Sequence, residues 1–222
     1  YNALPGDMPD AQSYWGTNVG TCPAGNNTKQ RTTCNGNGNG TIGISTNAGV
    51  YAPNDVDTTA TYGWEWFTAW QHLSNAGLIE GSYTGAQGRG GTSDAELTQN
   101  VPSSTLKPAA WSIIYYQQAA DGASSNLLWG SVNGYGPYGH LLLFGADGLN
   151  TPTLYPVLTP AEAYEIDGKI DDGRPSMGKV RSPRNGTAFA PNCIATDTNA
   201  LTDGYNISYT QTACPLIFIP GF

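Results

Sequence analysis

Two histidines, a run of carboxylates, a glycine-rich turn and an asparagine-rich loop are the residues of this chain with the types and spacing to do chemistry. His72 and His140 have a ring able to move protons near neutral pH, but each sits in an apolar helix or strand pattern, where a hydrogen-bonded structural histidine is the usual outcome. The stretch EAYEIDGKIDDG groups Glu162, Glu165, Asp167, Asp171 and Asp172, the residue type that glycoside hydrolysis requires. Paired catalytic carboxylates must face each other across a cleft, which neighbours on one short helix do not do. Glu162 is better read as part of a capping box, Glu165 as an i,i+4 neighbour of Lys169, and Asp172-Gly173 as the turn that ends the helix. GYGPYG satisfies G-x-G-x-x-G at Gly134, Gly136 and Gly139. A dinucleotide loop must open a helix, and this one runs into HLLLFGA, which reads as a strand. No G-x-S-x-G, H-E-x-x-H or P-loop lysine motif occurs.

The asparagine-rich loop is CNGNGNGTIG, residues 34–43. Asn35, Asn37, Asn39, Gly40 and Ile42 follow the rhythm of an oxygen-rich calcium loop, with every expected Asp replaced by an uncharged Asn. A carboxylate from elsewhere would have to supply charge, and Asp55, Asp57 and Glu65 are the candidates. The local signal alone favours a glycine-asparagine loop built on left-handed backbone. Four Asn-x-Ser/Thr sequons, at Asn26, Asn39, Asn185 and Asn206, also fall in this Asn/Thr-rich chain.

The elements that must position these residues are short. In TYGWEWFTAWQHLSNAGLIEG, Trp66, Phe67, Trp70 and Leu73 recur at three- and four-residue steps, with Gly77 placed to end the helix. Glu65, Thr68 and His72 are expected on its other face. A second helix is expected from TPAEAYEIDGKI, capped by Thr159 with Pro160 in the first turn and with Ala163, Ile166 and Ile170 inward. Strands are expected at 111–117, 126–132 and 140–146, and in the final PLIFIPGF, which Pro215 and Pro220 should confine to an edge. The spacing leaves no room for helical crossovers, so the fold class is α+β with an antiparallel sheet, in one domain over residues 1–222.

Composition narrows the function. Hydrophobic residues make up 39%, with six Trp and thirteen Tyr, which is enough for a substantial core. Nine Lys and Arg against seventeen Asp and Glu disfavour nucleic acid as a direct partner. No stretch reaches the roughly 20 apolar residues of a membrane span. Cys22, Cys34, Cys193 and Cys214 lie in polar surroundings that suit disulfides and an oxidising location; they admit three connectivities, of which sequential pairing would staple two polar loops. With neither C-x-x-C spacing nor more than two His, a zinc site is disfavoured.

Three separated stretches, YNALPGDMPDAQSYWG, AWQHLSNAGLIEGSYTG and IDGKIDDGRPSMGKV, resemble the globular heads of type IV pilins and type II secretion pseudopilins, the prepilin-type proteins. The resemblance implies a pilin-like head with an antiparallel sheet, short helices and long disulfide-stapled loops. It implies a long, largely apolar N-terminal helix ahead of Tyr1, truncated, proteolysed or separately encoded, through which alone the protein would meet a membrane before assembly. It also implies calcium at Asn35, Asn37, Asn39, Thr41 and Glu65, and a C-terminal loop closed by Cys193 and Cys214. The function that follows is a non-enzymatic structural subunit that polymerises with identical copies into a filament at the extracellular surface. The alternative is a secreted calcium-dependent carbohydrate-binding module using Trp15, Trp64, Trp111 and Trp129 as sugar platforms. An enzymatic reading rests on the acidic cluster alone.

Overall fold

The computed structural model describes residues 2–16, 33–43, 65–86, 88, 94–106, 108–116, 139–149, 151–183, 189–195 and 202–221. In chain order these form α1 (Ala11–Trp15), α2 (Glu65–Asn75), β1 (Ala110–Tyr116), β2 (Gly139–Gly148), β3 (Thr151–Tyr155), α3 (Pro160–Ile170), β4 (Val180–Arg181) and β5 (Leu216–Phe218). The strands make one antiparallel sheet in the order β1-β2-β5-β4, with β3 paired to the far end of β2. The α+β class and the antiparallel sheet therefore stand as the sequence indicates. The expected strand at 126–132 lies outside the described residues.

β2 is the centre of the sheet because HLLLFGA offers large apolar side chains to both faces. Leu141 and Leu143 enter a core with Trp66, Phe67, Ile114 and Leu154, whereas Phe144 enters a second core with Leu158, Ala163, Ile194 and Leu216. Alternation along the strand thus joins two cores through one element. The first holds α2 against the sheet and the second holds α3 and the C-terminal loop. Inside the first, Thr153 Oγ1 bonds Leu143 O at 3.1 Å and Ser112 Oγ at 2.9 Å, so a buried hydroxyl pair is satisfied.

The helix ends follow their sequence signals. At the start of α3, Thr159 Oγ1 accepts the Glu162 N–H at 3.3 Å and Glu162 Oε2 accepts the Thr159 N–H at 2.8 Å, completing the capping box, with Pro160 in the first turn. α2 ends in a Schellman motif: Gly77 adopts φ 70°, its N–H reaches Ser74 O, and the Leu78 N–H reaches Leu73 O.

Two expectations, the edge position of the last strand and the inward Ile170, are corrected. β5 lies between β2 and β4 rather than at an edge, because Pro215 and Pro220 flank its three residues and leave every ladder N–H intact. Glu65, Thr68 and His72, expected on the face of α2 away from its aromatic stripe, are 5%, 0% and 2% exposed: the N-terminal segment and residues 33–43 bond to Glu65, Thr68 and His72. On α3, Ile170 is 59% exposed and Asp167 is fully buried in its stead. β3, β4 and the five-residue α1 had no sequence signal strong enough to place them.

Candidate functional sites

The asparagine-rich loop folds around two carboxylates. Asp7, 2% exposed, accepts the Asn39 N–H on Oδ1 and the Gly40 N–H on Oδ2, both at 2.8 Å. Glu65 accepts the Asn37 N–H on Oε1 at 2.9 Å and the Gly43 N–H on Oε2 at 2.8 Å. Gly36 N–H bonds Met8 O and Gly38 N–H bonds Asp7 O, so the loop also pairs with the N-terminal segment through its backbone. Any Cβ at Gly36 would collide with the backbone of Gly6 and Asp7, which explains glycine there.

The side-chain oxygens predicted to hold calcium are used locally. Asn35 Oδ1 accepts the Gln12 N–H, Asn37 Oδ1 accepts the Asn39 N–H, and Asn39 Oδ1 accepts both the N–H and the hydroxyl of Thr41. The loop brings Asn35, Asn37, Asn39, Thr41 and Glu65 to one junction, but it aims its backbone N–H groups at the carboxylates, in the manner of a backbone nest that holds an anion. A calcium ion here would have to displace those N–H partners. Asp55 and Asp57 lie outside the described residues.

His72 locks the same junction from the other side. Its Nδ1 accepts the Gly6 N–H at 2.9 Å and its Nε2 donates to Cys34 O at 2.7 Å, which requires the neutral ring with the proton on Nε2. Burial lowers its pKa below the ordinary 6.5, against a smaller raising effect of the Cys34 carbonyl. His140 Nε2 accepts the Ile42 N–H at 3.2 Å, at the far end of the loop. Both histidines are structural partners of backbone groups, and Gly139 of the glycine-rich turn opens β2, a strand rather than a helix. Gly134 and Gly136 lie outside the described residues.

A second polar centre joins α3 to the C-terminal loop. Asp167 Oδ2 accepts the Tyr205 hydroxyl at 2.9 Å and Oδ1 accepts the Gly173 N–H at 3.1 Å. Burial pushes this carboxyl from its ordinary 3.8 to about 6; the Tyr205 and Gly173 bonds oppose the rise, and the charges of Asp172 and Asp171 add to it. Asp167, Asp171 and Asp172 can each offer a carboxylate oxygen within 4.8 Å of the others, the one such cluster among the described residues. Those oxygens also close the turn after α3: Asp171 accepts the N–H groups of Lys179 and Val180, and Asp172 accepts that of Arg174. Glu162 is committed to its cap, so Glu162, Asp167, Asp171 and Asp172 each serve the local fold on this geometry.

These two centres give opposite pH dependences. Asp167 holds in the folded state a proton that the unfolded chain has released between 3.8 and about 6, so its contribution to stability is full below 3.8 and lost as pH rises through 6. Neutral His72 works the other way: the unfolded ring takes up a proton below 6.5 that the folded ring refuses, and stability is lost as pH falls. Asp167→Asn should therefore unmask the His72 slope, so that the urea midpoint rises steadily from pH 5 to pH 6.5 in the variant and less steeply in the parent. A midpoint that depends on pH identically in both proteins would contradict the Asp167 assignment.

Cys193 and Cys214 form a disulfide across 21 positions, as the resemblance implies, and both are fully buried in the second core. Cys34 is also disulfide-bonded, while Cys22 lies outside the described residues. Of the sequons, Asn26 and Asn185 lie outside the described residues. Asn39 and Asn206 each accept a hydrogen bond from the hydroxyl two positions on, Thr41 at 2.7 Å and Ser208 at 2.9 Å. Trp111 is flanked by Phe144 and Phe218 at ring distances of 4.8 and 5.5 Å, which occupies it in packing, and Trp15 stands 5.4 Å from the His72 ring. Trp64 and Trp129 lie outside the described residues.

Trp15 and His72 also line an apolar groove of about 210 Å³ with Leu4, Met8, Leu73 and Leu78, between the N-terminal segment and the C-terminal half of α2. Among the described residues, no helix is long and apolar enough to cross a membrane. No family model, no curated protein and no solved structure matches the chain. The observations themselves define an α+β domain with one helix laid on each core and a disulfide-closed C-terminal loop.

Proposed function

We propose that this chain is the globular head of a type IV pilin-like subunit, which polymerises with identical copies into a filament on the outside of the cell. The observation that carries the reading is the Cys193–Cys214 bridge, which closes the loop leading directly into β5 on an antiparallel sheet. That is the place where the resemblance to pilins expects such a closure. Disulfides suit an oxidising, extracellular setting, and a low fraction of charged residues, 12%, suits the surface of a packed fibre. The carboxylates and histidines are spent on capping, turn closure and loop anchoring, which fits a structural rather than a catalytic role.

The gene region ahead of the Tyr1 codon tests this reading. A basic leader, a small-residue cleavage point and an apolar helix with a Glu near its start, in frame or in a neighbouring gene, is the expected result. An ordinary cleaved secretory signal joined directly to Tyr1 would remove the polymerising helix and overturn the proposal.

A further inference from the structure

Independently of the filament reading, we propose that Asn35-Gly36, Asn37-Gly38 and Asn39-Gly40 form a latent self-modification site, a run of amides able to deamidate, which the docked N-terminal segment keeps silent and whose conversion undocks that segment irreversibly. Asn followed by Gly is the pair in which this reaction meets least hindrance, because glycine has no Cβ beside the attacking nitrogen and reaches backbone conformations closed to other residues. The glycine nitrogen gives up its proton and attacks Cγ of the preceding Asn, the Cγ–Nδ2 bond breaks, and ammonia leaves with that proton. Water then opens the resulting succinimide at one of its two carbonyls to give Asp or isoaspartate. Water is the only co-reactant, and Gly38, Asn39 and Gly40 are exposed to it.

In the folded chain two neighbouring residues occupy all three nucleophiles. The Gly36 N–H is bonded to Met8 O at 2.8 Å, the Gly38 N–H to Asp7 O at 2.9 Å and the Gly40 N–H to Asp7 Oδ2 at 2.8 Å. A peptide plane fixed by such a bond cannot turn its nitrogen onto the adjoining Cγ, so attack waits until the loop leaves Asp7 and Met8. Those two residues are held down in turn: they are 2% and 4% exposed, and Gly6 beside them donates to His72 Nδ1 and accepts the Thr68 hydroxyl. Conversion at Asn37 does the most damage. The Asn39 N–H is shared between Asn37 Oδ1 at 2.9 Å and Asp7 Oδ1 at 2.8 Å, and the Asn37 N–H goes to Glu65. A carboxylate at position 37 adds a third negative charge beside Asp7 and Glu65 without adding a donor, and residues 2–16, 33–43 and 65–75 contain no Lys or Arg to offset it. Isoaspartate adds one atom to the backbone and shifts the N–H groups that follow out of line with Asp7. Either product therefore prevents the loop and the N-terminal segment from closing again.

The guard is tested by incubating the full 222-residue chain in mildly alkaline buffer, native or in guanidinium chloride, and localising the amide-to-acid mass change by tandem mass spectrometry. All three asparagines should convert in the unfolded chain and about a hundredfold more slowly in the native one, the factor imposed by confining attack to a locally opened state. Asp7→Ala removes the acceptor of the Gly40 N–H and leaves the Met8 carbonyl in place, so conversion at Asn39 should rise about tenfold and conversion at Asn35 least. Native conversion within about threefold of the unfolded rate, or conversion at Asn39 that Asp7→Ala leaves unchanged or slows, would overturn the guard. The native-to-unfolded comparison needs no variant, so it decides the guard even if Asp7→Ala fails to fold. Asn37→Asp, which installs the product directly, tests the undocking by amide exchange. Protection should fall at Gly6, Gly36 and Gly40 while the amides paired between β1 and β2 keep theirs. Protection kept at Gly6 and Gly40, or lost equally in the strands, would overturn the undocking.

Discussion

Replacing Cys193 and Cys214 together by Ala is expected to lower the unfolding free energy by about 3 kcal/mol, the loop-closure effect of a bridge spanning some twenty residues. The physical reason goes beyond the covalent link. The loop it closes carries Ile194 and Tyr205 into the second core, and Ala213 and Cys214 pair with Leu158 ahead of α3. Reduction releases the anchor for all of these at once. A coupled effect should follow at Asp167, whose carboxyl accepts the Tyr205 hydroxyl: that bond opposes the burial-driven rise of its pKa, so with the bond lost and Asp167 still buried on α3 the carboxyl should titrate higher, and the loss of stability with pH should extend further above pH 6. Urea denaturation of the double variant at pH 5 and pH 7 measures both. A midpoint unchanged from the parent would show that the sheet holds the loop without the bridge.

Glu65→Ala is expected to cost about 3 kcal/mol, the upper range for hydrogen bonds to a charged acceptor whose removal leaves buried donors unmatched. Both oxygens of Glu65 accept backbone N–H groups, from Asn37 and Gly43, and the side chain is 5% exposed. Glu65→Gln should cost about half as much, since the amide oxygen still accepts one N–H while its NH₂ confronts the other donor. Amide exchange gives the residue-level check. Asn37 and Gly43 should lose protection in Glu65→Ala, whereas Asn39 and Gly40, held by Asp7, should retain most of theirs. Uniform loss across all four would mean that the loop is one cooperative unit and that the two carboxylates do not act separately.

What was legible in the sequence was what local chemistry decides. Thr159, Pro160 and Glu162 announce the start of α3, and Gly77 announces the end of α2, because caps are made by residues within a few positions of each other. The apolar run of β2 was legible for the same reason. The burial of Glu65, Thr68 and His72 was not, because the surface that covers them comes from Gly6, Cys34, Asn37 and Gly43, more than twenty positions away at the nearest. Asp7 was overlooked altogether; its only signal was a Gly-Asp pair in a turn, and its role depends on a loop that arrives later in the chain. The inward Asp167 was hidden by a stripe that pattern reading completes with Ile166 and Ile170. A carboxylate between them could have been flagged as the odd residue of that face. β3 begins with Thr151-Pro152 and carries no alternation over enough residues to be read as a strand, so its pairing with β2 is set by tertiary contact.

The most direct test of the filament reading is immunogold electron microscopy of cells producing this protein, using antibodies raised against the 222-residue chain. The account predicts gold distributed along the length of surface filaments. Bare filaments, with label only in the medium or spread over the cell body, would contradict it.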